Sequence, residues 1–185
     1  MNNTVLTIVI PSSGKLKFEN QVKFAEGNKE IFLKYPIIII SKIKDEVFKS
    51  FSSLFFVQNT SFWFARRFGL EFVKTKYVLC LDTDTVLPLR YVEQSVEILE
   101  NNYRVGAIAL NYEEPYKQNH LAFGTSVWKT ELLKELYDWK LTGNESSLCE
   151  CLYMWKKLEK HGYLLETLSS NAKHLKNPLL NIHCK

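Results

Sequence analysis

The sequence lacks any long apolar run. No stretch approaches the roughly 20 apolar residues that a membrane-spanning helix needs. The first residues, Met1 to Thr4, contain no basic segment, and the apolar run that follows them stops at Pro11, so a secretory signal is not indicated. We therefore expect a cytoplasmic protein with at most peripheral contact to a membrane.

Cysteine is also scarce, with four residues among 185. Cys149 and Cys151 are separated by a single residue, a spacing too short for half of a standard zinc site, while Cys80 and Cys184 lie far away. This scatter indicates neither a disulfide framework nor a zinc module. We expect free thiols, most of them buried.

A strong excess of charge of either sign is missing as well. The chain has 24 Lys and Arg against 20 Asp and Glu, a net charge of +4. The basic residues form no stripe with interleaved aromatics, so we expect no nucleic-acid partner. Apolar residues make up 46% of the chain, which is enough for a sizeable core. The length suits a single domain over residues 1–185.

What the sequence does contain is an alternation of short apolar strands and amphipathic helices in its first half. Apolar strands separated by helices predict an α/β fold, with a mixed, mostly parallel sheet and helices on both faces. The strands are predicted at residues 5–10, 37–40, 55–57, 77–81 and 105–110. The helices are predicted at residues 18–25, 45–54, 61–73 and 88–99.

The second half is less regular. We predict a strand over 121–127, a helix over 129–137, a helix over 148–160 that Gly162 ends, and a last strand over 163–168. Residues 112–120 and 140–147 are predicted to be loops, and the tail from 171 receives no assignment.

Polar residues follow several of the predicted strands. Pro11, Ser12 and Ser13 follow the first strand, Ser41 follows the second, and Asp82 follows the fourth. Ligands of such sheets bind at the carboxyl ends of the strands. The sequence therefore places a candidate ligand site at this edge.

The strongest chemical signal is the pair of acids in Leu81-Asp82-Thr83-Asp84-Thr85. Two carboxylates this close in sequence repel each other unless a cation neutralises them. A hard divalent cation does so and keeps coordination positions for phosphate oxygens. The alternative is an acidic turn that only caps the following helix. The position directly after a buried strand favours the metal site.

Several segments together resemble the GT-A class of glycosyltransferases, and most of all its large inverting family 2. The matching segments are Pro11-Ser12-Ser13 after the first strand, Ala65-Arg66-Arg67-Phe68-Gly69, the strand and Asp-x-Asp motif from Tyr77 to Asp84, Pro88, and Gly162-Tyr163. Weaker matches run from Gly124 to Leu133 and from Glu150 to Gly162. The resemblance implies that residues 1–110 bind the nucleotide and 111–185 form the acceptor side.

The resemblance also implies an activity, namely metal-dependent transfer of a sugar from a nucleoside diphosphate sugar to an acceptor hydroxyl. The acceptor would be a glycan, a lipid or a protein. The metal, Mn²⁺ or Mg²⁺, would be held by Asp82, Asp84 and His174, although His174 could instead be a surface residue of a basic tail. The nucleotide-binding residues would be Pro11, Ser12, Ser13, Ser41, Arg66, Asp82 and Thr83, with Arg66 gripping the diphosphate.

Two departures from the family pattern bear on this interpretation. Ser41 and the following residues stand where family members carry an acid that recognises the base. Glu150-Cys151 stands where the family has Glu-Asp, whose Asp acts as the catalytic base. The base would then be Glu150 or Glu145. A sugar nucleotidyltransferase and a catalytically inactive nucleotide-sugar-binding module remain alternative functions.

Overall fold

The computed structural model describes residues 4–12, 18–41, 53–56, 62–112, 122–137 and 150–175. Within these ranges eight strands form one sheet in the order β3-β2-β1-β4-β7-β6-β8-β5. The strands are β1 Leu6–Ser12, β2 Ile37–Ser41, β3 Ser53–Phe56, β4 Tyr77–Leu81, β5 Thr85–Val86, β6 Val105–Tyr112, β7 Thr125–Lys129 and β8 Leu164–His174. The helices are α1 Phe18–Gly27, α2 Lys29–Lys34, α3 Phe62–Leu70, α4 Leu89–Asn101, α5 Thr130–Leu136 and α6 Glu150–Lys160.

The sheet is mixed and mostly parallel, as predicted. Strands β3, β2, β1 and β4 run parallel to one another, and β6 runs parallel to β8. Strand β7 lies antiparallel between β4 and β6, and the short β5 pairs antiparallel with the end of β8. The chain leaves β1 for β2 on one side, while β4 lies on the other side of β1. The strand order therefore reverses between β1 and β4. Such a topological switch point, at the carboxyl ends of the two strands, is where α/β sheets bind ligands.

Both faces of the central strands are buried, which explains why these strands are apolar at every position. In β4, Leu79 and Leu81 pack into the core on the side of α1, α2 and α4, whereas Val78 and Cys80 pack on the side of α3, α5 and α6. Successive side chains of a strand point to opposite faces. An apolar run without alternation is therefore what two helical layers require.

Most predicted elements are present, with shifted ends. The fourth strand has the predicted bounds, and β1, β2, α1, α4, β6 and α5 differ from the prediction by one or a few residues. The helix predicted over 45–54 was wrong at its end, because Ser53 begins β3; its residues 45–52 lie outside the described ranges. The strand predicted from 121 begins only at Thr125. Helix α2 and strand β5 were not predicted.

The last strand is longer than the sequence indicated. It was predicted to end at residue 168, but β8 continues to His174, where it pairs with Thr85 of β5. The extension was not predicted because its residues are mostly polar, and strand prediction depends on apolar runs. Among the described residues, no helix is long and apolar enough to cross a membrane.

Candidate active site

The acidic turn directly follows the central strand β4. Its backbone is held at both ends: the Asp82 N–H donates to the Gly124 carbonyl at 3.0 Å, and the Thr85 N–H donates to the Asp82 carbonyl at 3.1 Å. The Asp84 carbonyl accepts a hydrogen bond of 2.7 Å from the N–H of Leu175, just beyond β8. The turn is therefore tied both to the loop before β7 and to the end of β8.

The two carboxylates of this turn lie in different environments. The Asp82 side chain is 37% exposed, whereas Asp84 is only 8% exposed. Thr83, between them, is half-buried. Burial of a carboxylate costs free energy unless it has hydrogen-bond or ion-pair partners, and both Asp82 and Asp84 have partners within the protein.

Arg66 supplies positive charge to this region from inside the protein. Its side chain is 1% exposed, and its Nη2 donates to Asp82 Oδ1 at 2.5 Å. Its Nη1 pairs with Glu150 Oε2 at the start of α6. The guanidinium carbon also lies 4.9 Å from the ring centroid of Phe123. One buried arginine on α3 thus bridges the acidic turn and the helix that carries a candidate base.

The charge of Arg66 is secured by these partners. Burial alone would lower the pKa of its guanidinium, but attraction to Glu150, and then to Asp82, outweighs burial and raises that pKa well above its usual value. Its Nε has no hydrogen-bond partner among the described residues. The sequence predicted that Arg66 grips a diphosphate. In the structure the guanidinium contacts two carboxylates instead, and contact with a diphosphate stays a prediction.

Glu150 accepts hydrogen bonds through both of its oxygens. Oε2 accepts from Arg66, and Oε1 accepts from the hydroxyl of Tyr137. The Glu150 side chain is 16% exposed. Burial, followed by the charge of Glu150, raises the pKa of Tyr137 well above its ordinary value, so the phenol stays protonated and remains a donor. The four side chains Asp82, Arg66, Glu150 and Tyr137 are thus joined by hydrogen bonds, and we call them the acid–arginine network.

Aromatic rings surround this network on the side of α3 and α6. The Trp63 ring lies 5.6 Å from that of Tyr137 and 5.4 Å from that of Tyr153. The Phe123 N–H donates to the sulfur of Cys151 at 3.3 Å. Cys151 therefore packs against the core. It stands at the position where glycosyltransferase family 2, which the sequence resembles, carries an acid.

Gly124 is a site residue that the sequence identified only as part of a weak family match. A Cβ atom at this position would lie 1.9 Å from Asp82 Oδ2 and 2.1 Å from its Cγ. The Asp82 carboxylate thus packs directly against the glycine backbone. No local sequence pattern indicates this contact. Gly124 and Asp82 are close only because β7 lies beside β4.

Gly124→Ala is expected to push the Asp82 carboxylate away from its place while leaving the fold intact. A shift of one carboxylate that would bind a cation should weaken Mn²⁺ binding by about tenfold or more, or ~1.4 kcal/mol. Electron paramagnetic resonance of free Mn²⁺ measures this affinity. The matched control is Gly162→Ala, which has open space around it but a φ of 79°. It should cost about 1 kcal/mol of stability and leave Mn²⁺ affinity unchanged. Equal affinities for both variants would contradict the assignment of Asp82.

The other predicted nucleotide-binding residues lie at the same edge. Ser12 and Ser41 are paired across the parallel strands β1 and β2, with Pro11 beside Ile40. Both serines are buried, and each has interactions of its own within the protein. Ser13 lies outside the described ranges. The structure therefore brings Ser12, Ser41 and Asp82 to the carboxyl ends of three neighbouring strands.

The structure places the remaining candidates only in part. His174 is opposite Thr85 in the backbone register of β8 and β5, one residue beyond Asp84. Within the described ranges, no three His, Cys, Asp or Glu residues converge on a point that could hold a metal ion. Glu145 lies outside the described residues. The roles of His174 and Glu145 stay predictions.

Asn28, at the junction of α1 and α2, is a residue near the site that the sequence did not reveal. It is fully buried, and its side-chain amide contacts the backbone of the segment after the acidic turn. A single asparagine between two helices resembles any N-cap residue, so no sequence signal separates it from a local role.

The fold is similar to those of several solved structures. One is the mannosyltransferase PcManGT from Pyrobaculum calidifontis in complex with GDP-Man and Mn²⁺, with a TM-score of 0.65 and 13% identity over 90% of this chain and 55% of that chain. Another is residues 1–349 of S. aureus TarS, with a TM-score of 0.61 and 12% identity over 89% of this chain and 58% of that chain. TarS has also been solved in complex with UDP-GlcNAc.

A third similar structure is the bifunctional IspDF from Campylobacter jejuni, with a TM-score of 0.63 and 13% identity over 98% of this chain and 55% of that chain. The chain thus spans little more than half the length of each of these three solved chains. No protein-family model matches the sequence, and no curated protein matches it. At these identities the likeness concerns the fold, which is GT-A-like, as the resemblance implied.

Proposed function

We propose that this protein transfers a sugar from a nucleoside diphosphate sugar to an acceptor hydroxyl, with Mn²⁺ or Mg²⁺ held at the acidic turn. The observation that carries the proposal is the placement of Asp82 and Asp84 on a backbone-tied turn at the end of β4, beside the switch point of the sheet. Similarity of sequence motifs to the inverting family 2 supports the same conclusion. So does the GT-A-like fold shared with glycosyltransferases.

The residues present fit a divalent cation. Carboxylate oxygens are the ligands that Mg²⁺ and Mn²⁺ prefer. Asp82, Asp84 and Glu150 carry three negative charges against the single positive charge of Arg66, so these four side chains have an excess of two negative charges. We assign the cation to Asp82 and Asp84, with His174 as a further ligand. When bound, the cation would offset the charge that develops on the leaving diphosphate.

The nucleotide would lie across the ends of β1, β2 and β4. We assign its contacts to Pro11, Ser12, Ser13, Ser41 and Thr83. Since Ser12 and Ser41 are buried and already interact with other groups, their hydroxyls and the strand-end backbone would form the floor of the site. Arg66 already pairs with Asp82 and Glu150, so it offsets only part of the acidic charge, and attraction of the diphosphate would depend on the bound cation.

The base that accepts the proton of the acceptor hydroxyl is assigned to Glu145 in preference to Glu150. Both Glu150 oxygens already accept hydrogen bonds, from Arg66 and Tyr137. Glu150 would have to give up one of them to reach an acceptor. Measuring turnover and nucleotide affinity for Glu145→Gln and Glu150→Gln separates the two. We expect Glu145→Gln to lose turnover by about 100-fold or more with nucleotide affinity unchanged. If only Glu150→Gln loses turnover while it keeps its nucleotide affinity, the base is Glu150 and the assignment is reversed.

A donor panel tests the proposed activity. UDP- and GDP-sugars are incubated with the protein and Mn²⁺, with and without a mixture of simple sugar acceptors, and released UDP or GDP is measured. The thermal midpoint is recorded with UDP or GDP in the presence of Mn²⁺ or of a chelator. We expect stabilisation by one nucleotide that needs Mn²⁺, and slow donor hydrolysis that the chelator abolishes. Stabilisation and hydrolysis that persist in chelator would contradict the metal site.

Two other outcomes would indicate the alternative functions. Release of pyrophosphate from a nucleoside triphosphate and a sugar phosphate would indicate a sugar nucleotidyltransferase, and the similar structure of IspDF is that of a nucleotidyltransferase. Metal-dependent stabilisation without turnover of any donor would indicate a nucleotide-sugar-binding module. We favour glycosyl transfer over both because the sequence motifs resemble family 2 and two of the similar structures are of glycosyltransferases.

A further inference from the structure

The junction between α1 and α2 contains a buried asparagine whose side chain binds a neighbouring segment. The Nδ2 of Asn28 donates to the carbonyls of Phe24 and Thr85, each at 2.9 Å, and its Oδ1 accepts from the Leu87 N–H at 3.0 Å. Asn28 is 0% exposed. An asparagine amide has two donor hydrogens and an acceptor oxygen, and each of these has a partner here.

Two of these partners lie on either side of Val86, in the segment that follows the acidic turn. In a parallel ladder, a strand residue donates its N–H to one carbonyl of the neighbouring strand and accepts from the N–H of the residue two positions further along that strand. Asn28 does the same with its side chain, at Thr85 and Leu87. Strand β5, which has only the residues Thr85 and Val86, thus has β8 on one side and the Asn28 amide on the other.

The residue before Asn28 also fits closely against β5. A Cβ atom on Gly27 would lie 2.6 Å from Cγ2 and 2.7 Å from Cγ1 of Val86. Because valine has a stiff side chain, the contact tolerates little extra volume. The end of α1 therefore forms a seat for β5, which combines a steric contact at Gly27 with hydrogen bonds at Asn28.

We propose that Gly27 and Asn28 are positioning residues for the metal-binding turn. Asp84 immediately precedes Thr85, whose carbonyl Asn28 holds, and the backbone of His174 is in register with Thr85. Fixing β5 from the α1 side therefore fixes where Asp84 lies and where the end of β8 meets it. This inference depends on the proposed metal site, but neither Gly27 nor Asn28 is a ligand.

Asn28→Ala tests the proposal through Mn²⁺ binding, followed by the electron paramagnetic resonance signal of free Mn²⁺. We expect the dissociation constant to rise about tenfold, in the range typical of residues that orient metal ligands. Amide hydrogen exchange at Leu87 should also become faster, since its N–H loses its acceptor. The control is Leu99→Ala, a buried residue at the far end of α4, whose loss lowers the thermal midpoint without touching β5.

A second pair of variants tests the same seat without removing the amide. Gly27→Ala should crowd Val86 and weaken Mn²⁺ binding. Adding Val86→Ala to it removes both Cγ atoms that the new methyl group would meet, and should restore binding. If Asn28→Ala does not fold, Gly27→Ala and the double variant still test whether the contact with β5 positions the metal-binding turn.

The possible outcomes separate this inference from the proposed function. Weakened binding in Asn28→Ala, or in Gly27→Ala with recovery in the double variant, supports the inference provided that Leu99→Ala binds like the parent. If the parent binds Mn²⁺ and these variants bind it equally well, the inference is overturned and the metal site stands. If the parent itself does not bind Mn²⁺, the metal site and this inference both fail.

Discussion

Asp84→Asn is expected to reduce turnover of the donor by about 10²–10⁴-fold at a fixed Mn²⁺ concentration. A carboxylate ligand contributes a full negative charge to a cation, and an amide oxygen does not. Charge stabilisation by a metal ion is worth several kcal/mol in a transition state, and each ~1.4 kcal/mol corresponds to a factor of ten in rate. Mn²⁺ affinity should fall in parallel, so both are measured on the same preparation.

The design of this variant separates chemistry from folding. Asparagine has nearly the shape of aspartate, and the hydrogen bond from the Leu175 N–H goes to the Asp84 backbone carbonyl, which the substitution leaves unchanged. The control is Glu93→Gln, which removes an exposed carboxylate that pairs with Lys34 on the surface. It should leave turnover at the parent level. Parent-level turnover by Asp84→Asn in the same assay would rule out Asp84 as a metal ligand.

Arg66→Met should lower the free energy of unfolding by about 3 kcal/mol. Removing one member of a buried ion pair typically costs ~3–5 kcal/mol, because its partners are left without compensation. We expect the lower end of this range because the Asp82 side chain is 37% exposed and water screens part of its charge. Urea denaturation followed by tryptophan fluorescence measures the difference.

Three companion variants show whether the bridge itself is responsible. Arg66→Lys keeps the charge, but a compact ammonium cannot pair with two carboxylates as a planar guanidinium does, so about half of the loss should remain. Adding Glu150→Gln to Arg66→Met should recover about 1 kcal/mol, since a neutral side chain tolerates burial better. Arg90→Met, at an exposed arginine that stacks on Tyr91, should leave the unfolding midpoint unchanged. A loss below about 1 kcal/mol in Arg66→Met would contradict the bridge.

The acid–arginine network has a consequence for how the two halves of the chain cooperate. Arg66 joins Asp82, in the first half of the chain, to Glu150, at the start of α6 in the second half. Tyr137, also in the second half, donates its hydroxyl hydrogen to the other oxygen of Glu150. Because charged hydrogen bonds in a buried network stabilise one another, the position of α6 depends on the same arginine as the position of the acidic turn.

The sequence predicted the core of the fold well because the relevant signals are local. The apolar run of β4 and the proline before α4 are readable within a few residues, and both elements lie where they were expected. Elements whose stability comes from neighbours were missed. Strand β5 has two residues and exists because β8 and Asn28 support it, and the second half of β8 is polar and pairs with β5 and β6.

By itself, the sequence determined that a pair of acids follows a buried strand in a mostly parallel α/β sheet, because the apolar run and the spacing of Asp82 and Asp84 are properties of adjacent residues. The GT-A-like form of that sheet was implied by the resemblance of the motifs. Only the tertiary structure decided what surrounds that pair. Arg66, Gly124 and Asn28 come from three separate segments and meet the turn through strand order and helix packing. From the sequence, Arg66 was predicted to grip a diphosphate. Burial made it the cation that joins Asp82 to Glu150, because a charge removed from water must find its partners inside the protein.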